Sequence, residues 1–501
     1  MDRKWQVLAV CAGSVFVTAF DVASLNVLLP RIAADLGASY EAVQWASIAN
    51  LVVMGTTLLL FGRLADARGR EGPYLAGLVA FALACLLGAA SWGGAALVFA
   101  KAIQGLGNSL ISATSVAMIT AAFPARERGR VLGINVATIY AGLSLGPLLG
   151  GVLAADWRWV MAVEALAIGA LTPVAWAALS PPAGVSCKGG ASPAGPEAGP
   201  PADPAAGAPT RWQDARGTTA FGLALAGLLL GVTMGRRLGW GSPFTLVALV
   251  VAAGSGLAFA RVESSAARAG KAVLVDFSAF RGNQPLSSAT LKAFVAYVAT
   301  NGVNLLTSIY LQSLLGLSGS QAGLLLAPMP VIMAITSPLS GRLSDRLGSR
   351  APTTLGLAFM AAGLGTLSLV PAGLPVAVVP AAQVLTGCGF GCFSSPNQST
   401  IMGSVDRKLY GFASGWISTI RVVGQAISVA VLGAVVAAFV DPAALSTILA
   451  NPAAPVDPAA LAAFERGFQV ALWSSATALV AAAAFSGLTG RDAARRGGER
   501  G

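Results

Sequence analysis

The stretch GRLADARGR, residues 62–70, decides the fold of this chain, because it returns almost unchanged as GRLSDRLGSR at residues 341–350. Each copy lies between two long apolar runs, and the two copies are 279 residues apart. A loop sequence this distinctive that occurs twice in one chain indicates a duplicated unit. Since residues 181–287 lie between two apolar blocks of similar length, the chain predicts one half, an insert and a second half.

Composition places this duplicated chain in a membrane. Hydrophobic residues make up 55% of it, charged residues only 11%, and the mean hydropathy is +0.72. A soluble domain carries about 25% charged residues. Fourteen apolar segments are long enough to cross about 30 Å of hydrocarbon at about 20 residues each. An even number of spans places both termini on one side of the membrane.

The basic residues lie in alternate loops rather than in one patch. With the N-terminus inside, the cytoplasmic loops and ends hold 24 of the 32 Lys and Arg residues, and the outer loops hold five. This asymmetry is the positive-inside pattern, which fixes the orientation of a membrane protein. The net charge of +11 therefore reflects topology and does not indicate nucleic-acid binding. We expect a multi-pass protein of the cell membrane with both termini in the cytoplasm.

The residue types that the chain lacks exclude several kinds of chemistry. It has no histidine, which excludes a Ser-His-Asp triad and an HExxH zinc site. Cys388 and Cys392 share a helix face, but a structural zinc site usually takes more than two ligands. Gly270 and Lys271 lack the upstream glycine of a phosphate-binding loop. We therefore expect neither enzymatic activity nor a metal or other cofactor.

The repeated loop has a physical rationale. Gly62 and Gly69 allow a tight turn and the close approach of another segment. Asp66 can lie at a helix N-terminus, where negative charge is favoured. A merely basic inner loop accounts for its arginines, Arg70 among them, but not for the recurrence of the pattern G-R-L-x-D-x-x-G. The second copy repeats three of these positions, as Gly341, Asp345 and Gly348.

This loop resembles the signature loop of the major facilitator superfamily, whose members are membrane transporters. The stretch GLSLGPLLGG, residues 142–151, resembles the antiporter signature on the fifth helix of the same superfamily. Its glycines recur every four residues and form a smooth face for another helix, and its proline invites a bend. The resemblance implies export against protons. The motif residues are Gly142, Gly146, Pro147, Gly150 and Gly151.

Two further apolar spans, near residues 219–235 and 244–260, lie between the halves. Together with DVASLNVLLP at 21–30 and GFASGWISTIRVVGQAISVAVLG at 411–433, they make the chain similar to the fourteen-helix drug:proton antiporter family. This resemblance implies an all-α membrane protein of the major facilitator fold, with two six-helix bundles and two additional central helices. The expected segments are residues 1–180 for the first bundle, 181–217 for a disordered cytosolic linker, 218–287 for the two additional helices and a cytosolic connection, 288–490 for the second bundle, and 491–501 for a basic cytosolic tail.

Three charged residues within the predicted helices are the candidates for proton coupling. Asp21 lies about 13 Å below the outer end of the first helix, which runs from about Trp5 to Leu29. A carboxylate at this depth is unfavourable in lipid, so it must face the bundle interior or a wet cavity. Lys101 lies at a comparable depth in the fourth helix, which lines the same cavity in the resembled fold, and we hypothesise an Asp21–Lys101 pair. Glu164 lies about 9 Å inside the sixth helix and is the second candidate acid.

Simpler alternatives stand beside these roles. Asp21 can pair with a neighbour without any part in transport, and Lys101 can extend its ammonium group towards the outer interface. The superfamily's antiporters usually carry arginine at the position of Lys101, and the fourteen-helix exporters more often carry asparagine at that of Glu164. Unlike arginine, a desolvated lysine can release its proton, so Lys101 can itself titrate.

Polar side chains on the predicted helices suit the binding of amphipathic cargo, although scattered amides equally suit bonds between helices. The candidates for a substrate cavity are Asn26, Asn50, Gln104, Asn301, Asn304, Tyr310 and Arg421.

The sequence thus predicts a proton-coupled antiporter that exports amphipathic small molecules, such as drugs, antibiotics or toxic metabolites, by alternating access. We expect it to work as a monomer in the lipid bilayer, with a small-molecule substrate and protons as its partners and no nucleic acid. A proton-coupled symporter or facilitator for a small metabolite on the same scaffold is the alternative, and a membrane receptor without transport is a third reading.

Overall fold

The computed structural model describes residues 2–38, 40–152, 156–179, 215–268, 273, 275, 280, 282–317, 319–370, 375–441, 444–445, 448 and 457–498. All regular secondary structure in these residues is helical, in agreement with the expected all-α class. The predicted linker lies outside the described residues up to position 214.

Six long helices precede this linker. Their bounds are α1 Arg3–Asp35, α2 Tyr40–Arg68, α3 Glu71–Ala89, α4 Gly94–Ala122, α5 Arg128–Val152 and α6 Arg158–Leu179. The helix α1 runs past Pro30, beyond the end expected from the sequence, because a proline removes only one backbone donor and a long helix tolerates that loss with a bend.

Nine further helices follow the linker in the described residues. Their bounds are α7 Ala215–Leu238, α8 Pro243–Arg268, α9 Gln284–Ser313, α10 Gly319–Leu326, α11 Pro328–Leu347, α12 Arg350–Leu367, α13 Val378–Gly403, α14 Tyr410–Ala437 and α15 Pro458–Gly498. The short α10 and the following α11 belong to one apolar span, which is interrupted just before Pro328. The last helix continues to Gly498, into the segment expected to be a tail.

The described helices include eleven segments that are long and apolar enough to cross a membrane. Helices suit this role because every backbone N–H and C=O within them is paired inside the segment, so none is left unpaired in lipid. The count of fourteen spans and the side on which the termini lie stay predictions.

The contacts of the chain form two compact units. The first comprises Met1–Ala226, Ala252–Leu286 and Ile401–Thr419. Within it, α1 packs against α5, α2 packs against α4, and α3 packs against both α4 and α6. Since α1 also contacts α4 and α6, this unit brings the three helices that carry the candidate charged residues side by side.

The second unit comprises Gly227–Val251, Ser287–Thr400 and Ile420–Gly501. In it, α12 packs against α15 and approaches α13 closely, because a Cβ atom added to Gly356 would lie 2.6 Å from the Gly389 carbonyl oxygen. The helices α9 and α14 are also in contact, since the Gly302 N–H donates a hydrogen bond of 2.7 Å to Ser428 Oγ.

Candidate functional site

The first unit buries an ion pair between α1 and α4. Lys101 Nζ donates to Asp21 Oδ1 at 2.5 Å, and both residues are only 2% exposed. The ammonium group of Lys101 is therefore directed at Asp21 and not towards the end of its own helix. The two residues that the sequence suggested as a pair are in contact, and their role in proton coupling stays a prediction.

The second candidate acid, Glu164, joins this pair from α6. It is 2% exposed, and its Oε2 atom accepts a hydrogen bond from Cys85 Sγ at 3.8 Å. Glu164 also interacts electrostatically with Asp21 and Lys101, so a second carboxyl group lies near the ion pair. Its Oε1 atom accepts no hydrogen bond from a donor in the described residues. The cluster therefore combines two buried carboxyl groups with one ammonium group.

A chain of buried polar side chains leads away from the cluster formed by Asp21, Lys101 and Glu164. Gln104 Nε2 donates to Cys85 Sγ at 3.2 Å, and Asn50 Nδ2 donates to Gln104 Oε1 at 3.3 Å. Asn108 Nδ2 in turn donates to Asn50 Oδ1 at 3.3 Å. The polar chain therefore runs along α4 for about 10 Å, the rise of seven residues.

Sequence reasoning named Asn50 and Gln104 but missed Cys85 and Asn108. The signal for Asn108 is its spacing, because residues 101, 104 and 108 lie on one face of a helix. Cys85 carries no such signal, since a cysteine in an apolar helix usually serves as a small packing residue.

The repeated loop forms a second polar cluster within the first unit. Asp66 Oδ1 accepts a hydrogen bond of 2.7 Å from the Gly411 N–H, and Asp66 Oδ2 accepts one of 2.7 Å from the Phe412 N–H. Arg70 Nη2 lies 3.4 Å from Asp66 Oδ1 and donates to the Arg407 carbonyl oxygen at 2.5 Å. Asp66 stands near the end of its own helix, so the helix N-terminus that it stabilises is that of α14.

Two kinds of steric constraint require glycine in the repeated loop. A Cβ atom on Gly62 would lie 2.6 Å from the Gly411 carbonyl oxygen, so only glycine allows this approach. Gly69 and Gly348 occupy matching places in the two copies and have φ angles of 90° and 81°, a region that disfavours side chains. In the second copy, Gly341 is buried in α11, and Asp345 lies two residues before the end of that helix.

The helix-five motif packs against α1. Cβ atoms on Gly142 and Gly146 would lie 2.5 Å from the Phe16 carbonyl oxygen and 2.6 Å from Ala23 Cβ. A Cβ atom on Gly150 would lie 3.1 Å from Ser24 Cβ. The three glycines therefore face α1, as the spacing suggested. Of the two remaining motif residues, Gly151 lies in the last turn of α5 and the side chain of Pro147 is outside the described part.

The candidate cavity residues of the second half mostly bond between helices. Asn301 Nδ2 donates to the Gln425 carbonyl oxygen at 3.5 Å, and Asn304 Nδ2 donates to Met329 Sδ at 3.4 Å. These contacts match the alternative that such amides join helices.

The two remaining candidates of this half differ from each other, and the side chain of Asn26 lies outside the described part. Tyr310 donates from its hydroxyl to Glu465 Oε1 at 3.1 Å, so it too bonds between helices. Arg421 is half-buried and forms no hydrogen bond or ion pair with the described residues.

Comparisons with known proteins agree with this architecture. A family model described as Major Facilitator Superfamily matches residues 11–218 and 215–429. The multidrug resistance protein Stp of Mycobacterium tuberculosis (strain ATCC 25618 / H37Rv) is 30% identical over 446 residues, covering 88% of this chain and 78% of Stp. The riboflavin transporter RibZ of Clostridioides difficile (strain 630) is 27% identical over 433 residues, covering 86% of this chain and 88% of RibZ.

Among solved structures, the chain is similar to the proton:xylose symporter XylE bound to 6-bromo-6-deoxy-D-glucose, another protein of the superfamily. The TM-score is 0.62 with 16% sequence identity, over 96% of this chain and 94% of XylE. At this identity the likeness shows the fold alone, which is the major facilitator fold.

Proposed function

Because the chain belongs to the major facilitator superfamily, and is a membrane transporter rather than an enzyme, we propose that it is a proton-coupled antiporter. It exports amphipathic small molecules across the cell membrane by alternating access. We further propose that it belongs to the fourteen-helix drug:proton antiporters, with both termini in the cytoplasm. It acts as a monomer and needs no cofactor besides the proton gradient.

The observation that carries this proposal is the buried contact between Lys101 and Asp21, with Glu164 beside it. Buried charged residues are energetically costly in a membrane protein, and they usually mark the path of an ion or a substrate. Protonation of either carboxyl group removes a negative charge beside the ammonium group and weakens the pairing. A proton taken up on one side of the membrane and released on the other can therefore drive the change of state that moves the substrate.

The energy available from one proton is sufficient for this task. A proton that moves down about 150 mV of combined driving force supplies about 3.5 kcal/mol. This free energy supports a substrate gradient of roughly 300-fold, since each 1.4 kcal/mol corresponds to about a factor of ten.

A susceptibility panel tests the proposal in a host that lacks its own exporters. Cells with the wild-type chain are expected to resist at least one amphipathic drug or antibiotic, and cells with Asp21→Asn are expected to lose that resistance at equal protein level in the membrane. Asp35→Asn, which removes a half-exposed acid from the same helix, is the matched control and keeps the resistance. Full resistance in the Asp21→Asn variant would contradict the proposal.

Purified protein in sealed liposomes then separates antiport from symport, the alternative that the sequence left open. With an acidic interior, an antiporter accumulates the compound inside as protons leave, whereas a symporter drives the compound out with the protons. An uncoupler abolishes either movement. Transport that survives the uncoupler rejects proton coupling altogether.

A further inference from the structure

The second unit contains two cations that pair with no carboxylate of the described residues. Lys292 on α9 is 9% exposed, and Arg421 on α14 is half-buried. Neither forms an ion pair with a carboxylate in the described residues, and the charged neighbour that interacts with Lys292 is another cation, Arg350. Buried cations are usually paired, because an unpaired charge loses its hydration without compensation.

The contacts between α9 and α14 place the two cations at similar height. Gly302 bonds to Ser428, and a Cβ atom on Gly424 would lie 2.8 Å from Tyr297 Cβ, so residue numbers rise together along the two helices. With the offset of the first of these contacts, Arg421 lies opposite residue 295, about three residues or 4.5 Å above Lys292 along α9. The two cations therefore belong to one level of the second unit.

A third donor accompanies them. The hydroxyl of Tyr297 donates no hydrogen bond to the described residues. The Tyr297 ring is buried and lies 5.5 Å from the Phe390 ring, and the side chain interacts electrostatically with Arg421. One aromatic face and three donors without an acceptor are the elements that recognise an amphipathic anion, since guanidinium and ammonium groups bind carboxylates, sulfonates and phosphates.

The acids of this unit do not compensate for the charge. Among the described side chains of its helices, the acidic ones are Asp345, two residues before the end of α11, and Glu465, in the third turn of α15. Glu465 already accepts the hydroxyl of Tyr310. An acidic group supplied by a ligand would complete the charge pairing of this unit.

We propose that Lys292, Tyr297 and Arg421 form the anion-recognition part of the substrate site, and that the exported molecules carry an acidic group on an apolar body. This inference rests on the proposed export function and narrows its substrate class. The geometry that carries it is the common level, in one unit, of two cations and a phenol that have no carboxylate or other acceptor among the described residues.

Two xanthene dyes of similar size and opposite charge, fluorescein and rhodamine 123, test the proposal. Full-length protein in phosphatidylcholine nanodiscs is titrated with each dye, and binding is followed by fluorescence polarisation. We expect the wild type to prefer fluorescein. Arg421→Gln and Lys292→Gln are each expected to bind fluorescein about tenfold more weakly, because each loses one charge-assisted contact, and to bind rhodamine 123 no more weakly than the wild type.

Two controls separate the site from general charge and from folding. Arg466→Gln removes the same charge from an exposed position of the same unit and is expected to bind as the wild type. Arg421→Lys keeps the charge and is expected to recover most of the affinity for fluorescein. Wild-type affinity for fluorescein in both glutamine variants, or a wild type that prefers rhodamine 123 or binds neither dye, overturns the proposal.

A lipid headgroup is the other source of an anion. Nanodiscs that contain phosphatidylglycerol separate the two sources. If the site binds a transported acid, fluorescein still binds in these nanodiscs. If fluorescein binding is lost and neither dye is transported, the site binds lipid and the substrate assignment is overturned. The proposed export function is tested apart from this. If fluorescein binds in a manner that depends on Arg421 but no gradient drives its transport, the export function is wrong and the anion site stands. If a gradient drives transport of rhodamine 123 but not of fluorescein, the anion site is wrong and the export function stands.

Discussion

The two halves of the chain keep the same loop and the same buried amide but differ in their buried charge. A shift of 279 residues, which superposes Asp66 on Asp345, also matches Gln104 with Gln383. At the same shift, Asp21 and Lys101 match Thr300 and Pro380, so the ion pair of the first half has no counterpart in the second.

The reverse holds for the cations of the second half. At the same shift, Lys292 and Arg421 match Gly13 and Gly142 of the first half. In the first half, Gly142 lets α5 approach α1, whereas the second half carries a long basic side chain at the matching sequence position. The loops and the amide were thus retained in both halves while the charges diverged. Under the two proposals above, one half handles protons and the other recognises the substrate.

The largest expected difference between the halves concerns their buried lysines. Lys101→Met leaves Asp21 without its partner and is expected to reduce the free energy of unfolding by about 3–5 kcal/mol. Lys292→Met removes a cation that has no carboxylate partner in the described residues, so it is expected to leave the thermal midpoint unchanged or raise it. Thermal unfolding of both purified variants measures the difference.

A double variant tests whether the loss in Lys101→Met comes from the stranded acid. Asp21→Asn combined with Lys101→Met removes both ends of the ion pair and leaves Glu164 as the remaining acid of the cluster, so part of the stability should return while transport does not. Equal midpoints for Lys101→Met and Lys292→Met would show that the two halves do not differ in this respect.

The repeated loop gives the next largest effect. Asp66→Asn removes the charge at the N-terminus of α14 and leaves one oxygen for the two N–H groups of Gly411 and Phe412. A loss of about 2–3 kcal/mol is expected, because these are hydrogen bonds to a charged group. Arg68→Gln, in the same loop but exposed, is the control and should leave the thermal midpoint unchanged. A stable Asp66→Asn variant would mean that the contact with α14 contributes little.

The matched glutamines allow a finer comparison. Gln104→Leu leaves the Nδ2 group of Asn50 without its acceptor and is expected to lower the free energy of unfolding by about 1–2 kcal/mol. It also cuts the polar chain that begins at Glu164 and Cys85, so transport should fall further than stability does. Gln383→Leu breaks a single 3.3 Å bond to Asn304 Oδ1 and should affect transport less. Transport rates at equal protein level, measured in liposomes, check this order, and equal loss in both variants would contradict it.

The sequence predicted the membrane class and the superfamily well, because hydropathy and the repeated loop act through local chemistry. It also placed Asp21 and Lys101 together, since equal depth on two helices of one bundle leaves few other partners. It did not single out Cys85, whose role depends on neighbours from two other helices. Nor did it separate Asn301 from Arg421 in the second half, because both are polar residues in apolar helices. Only tertiary contacts show that Asn301 is bonded to another helix, whereas Arg421 forms no hydrogen bond or ion pair with the described residues.

The smallest expected effect compares the buried ion pair of the first half with an exposed one. Asp35 lies beyond the apolar span that ends at Leu25, and it accepts hydrogen bonds from the Arg158 guanidinium and from Trp157 Nε1. The Arg158 guanidinium, followed by the Trp157 indole, holds the pKa of the Asp35 carboxyl below its ordinary value. Ionised Asp35 therefore stabilises the folded state above the ordinary aspartate pKa of about 4, and this contribution is lost as the pH falls further and the carboxyl is protonated.

Asp35→Asn should thus lower the thermal midpoint slightly at pH 7 and converge with the wild type in acid. Since the side chain is 42% exposed, solvent screens the interaction, and the shift should be much smaller than that of Lys101→Met. A midpoint difference that persists unchanged at low pH would mean that the Asp35 carboxylate is not its source.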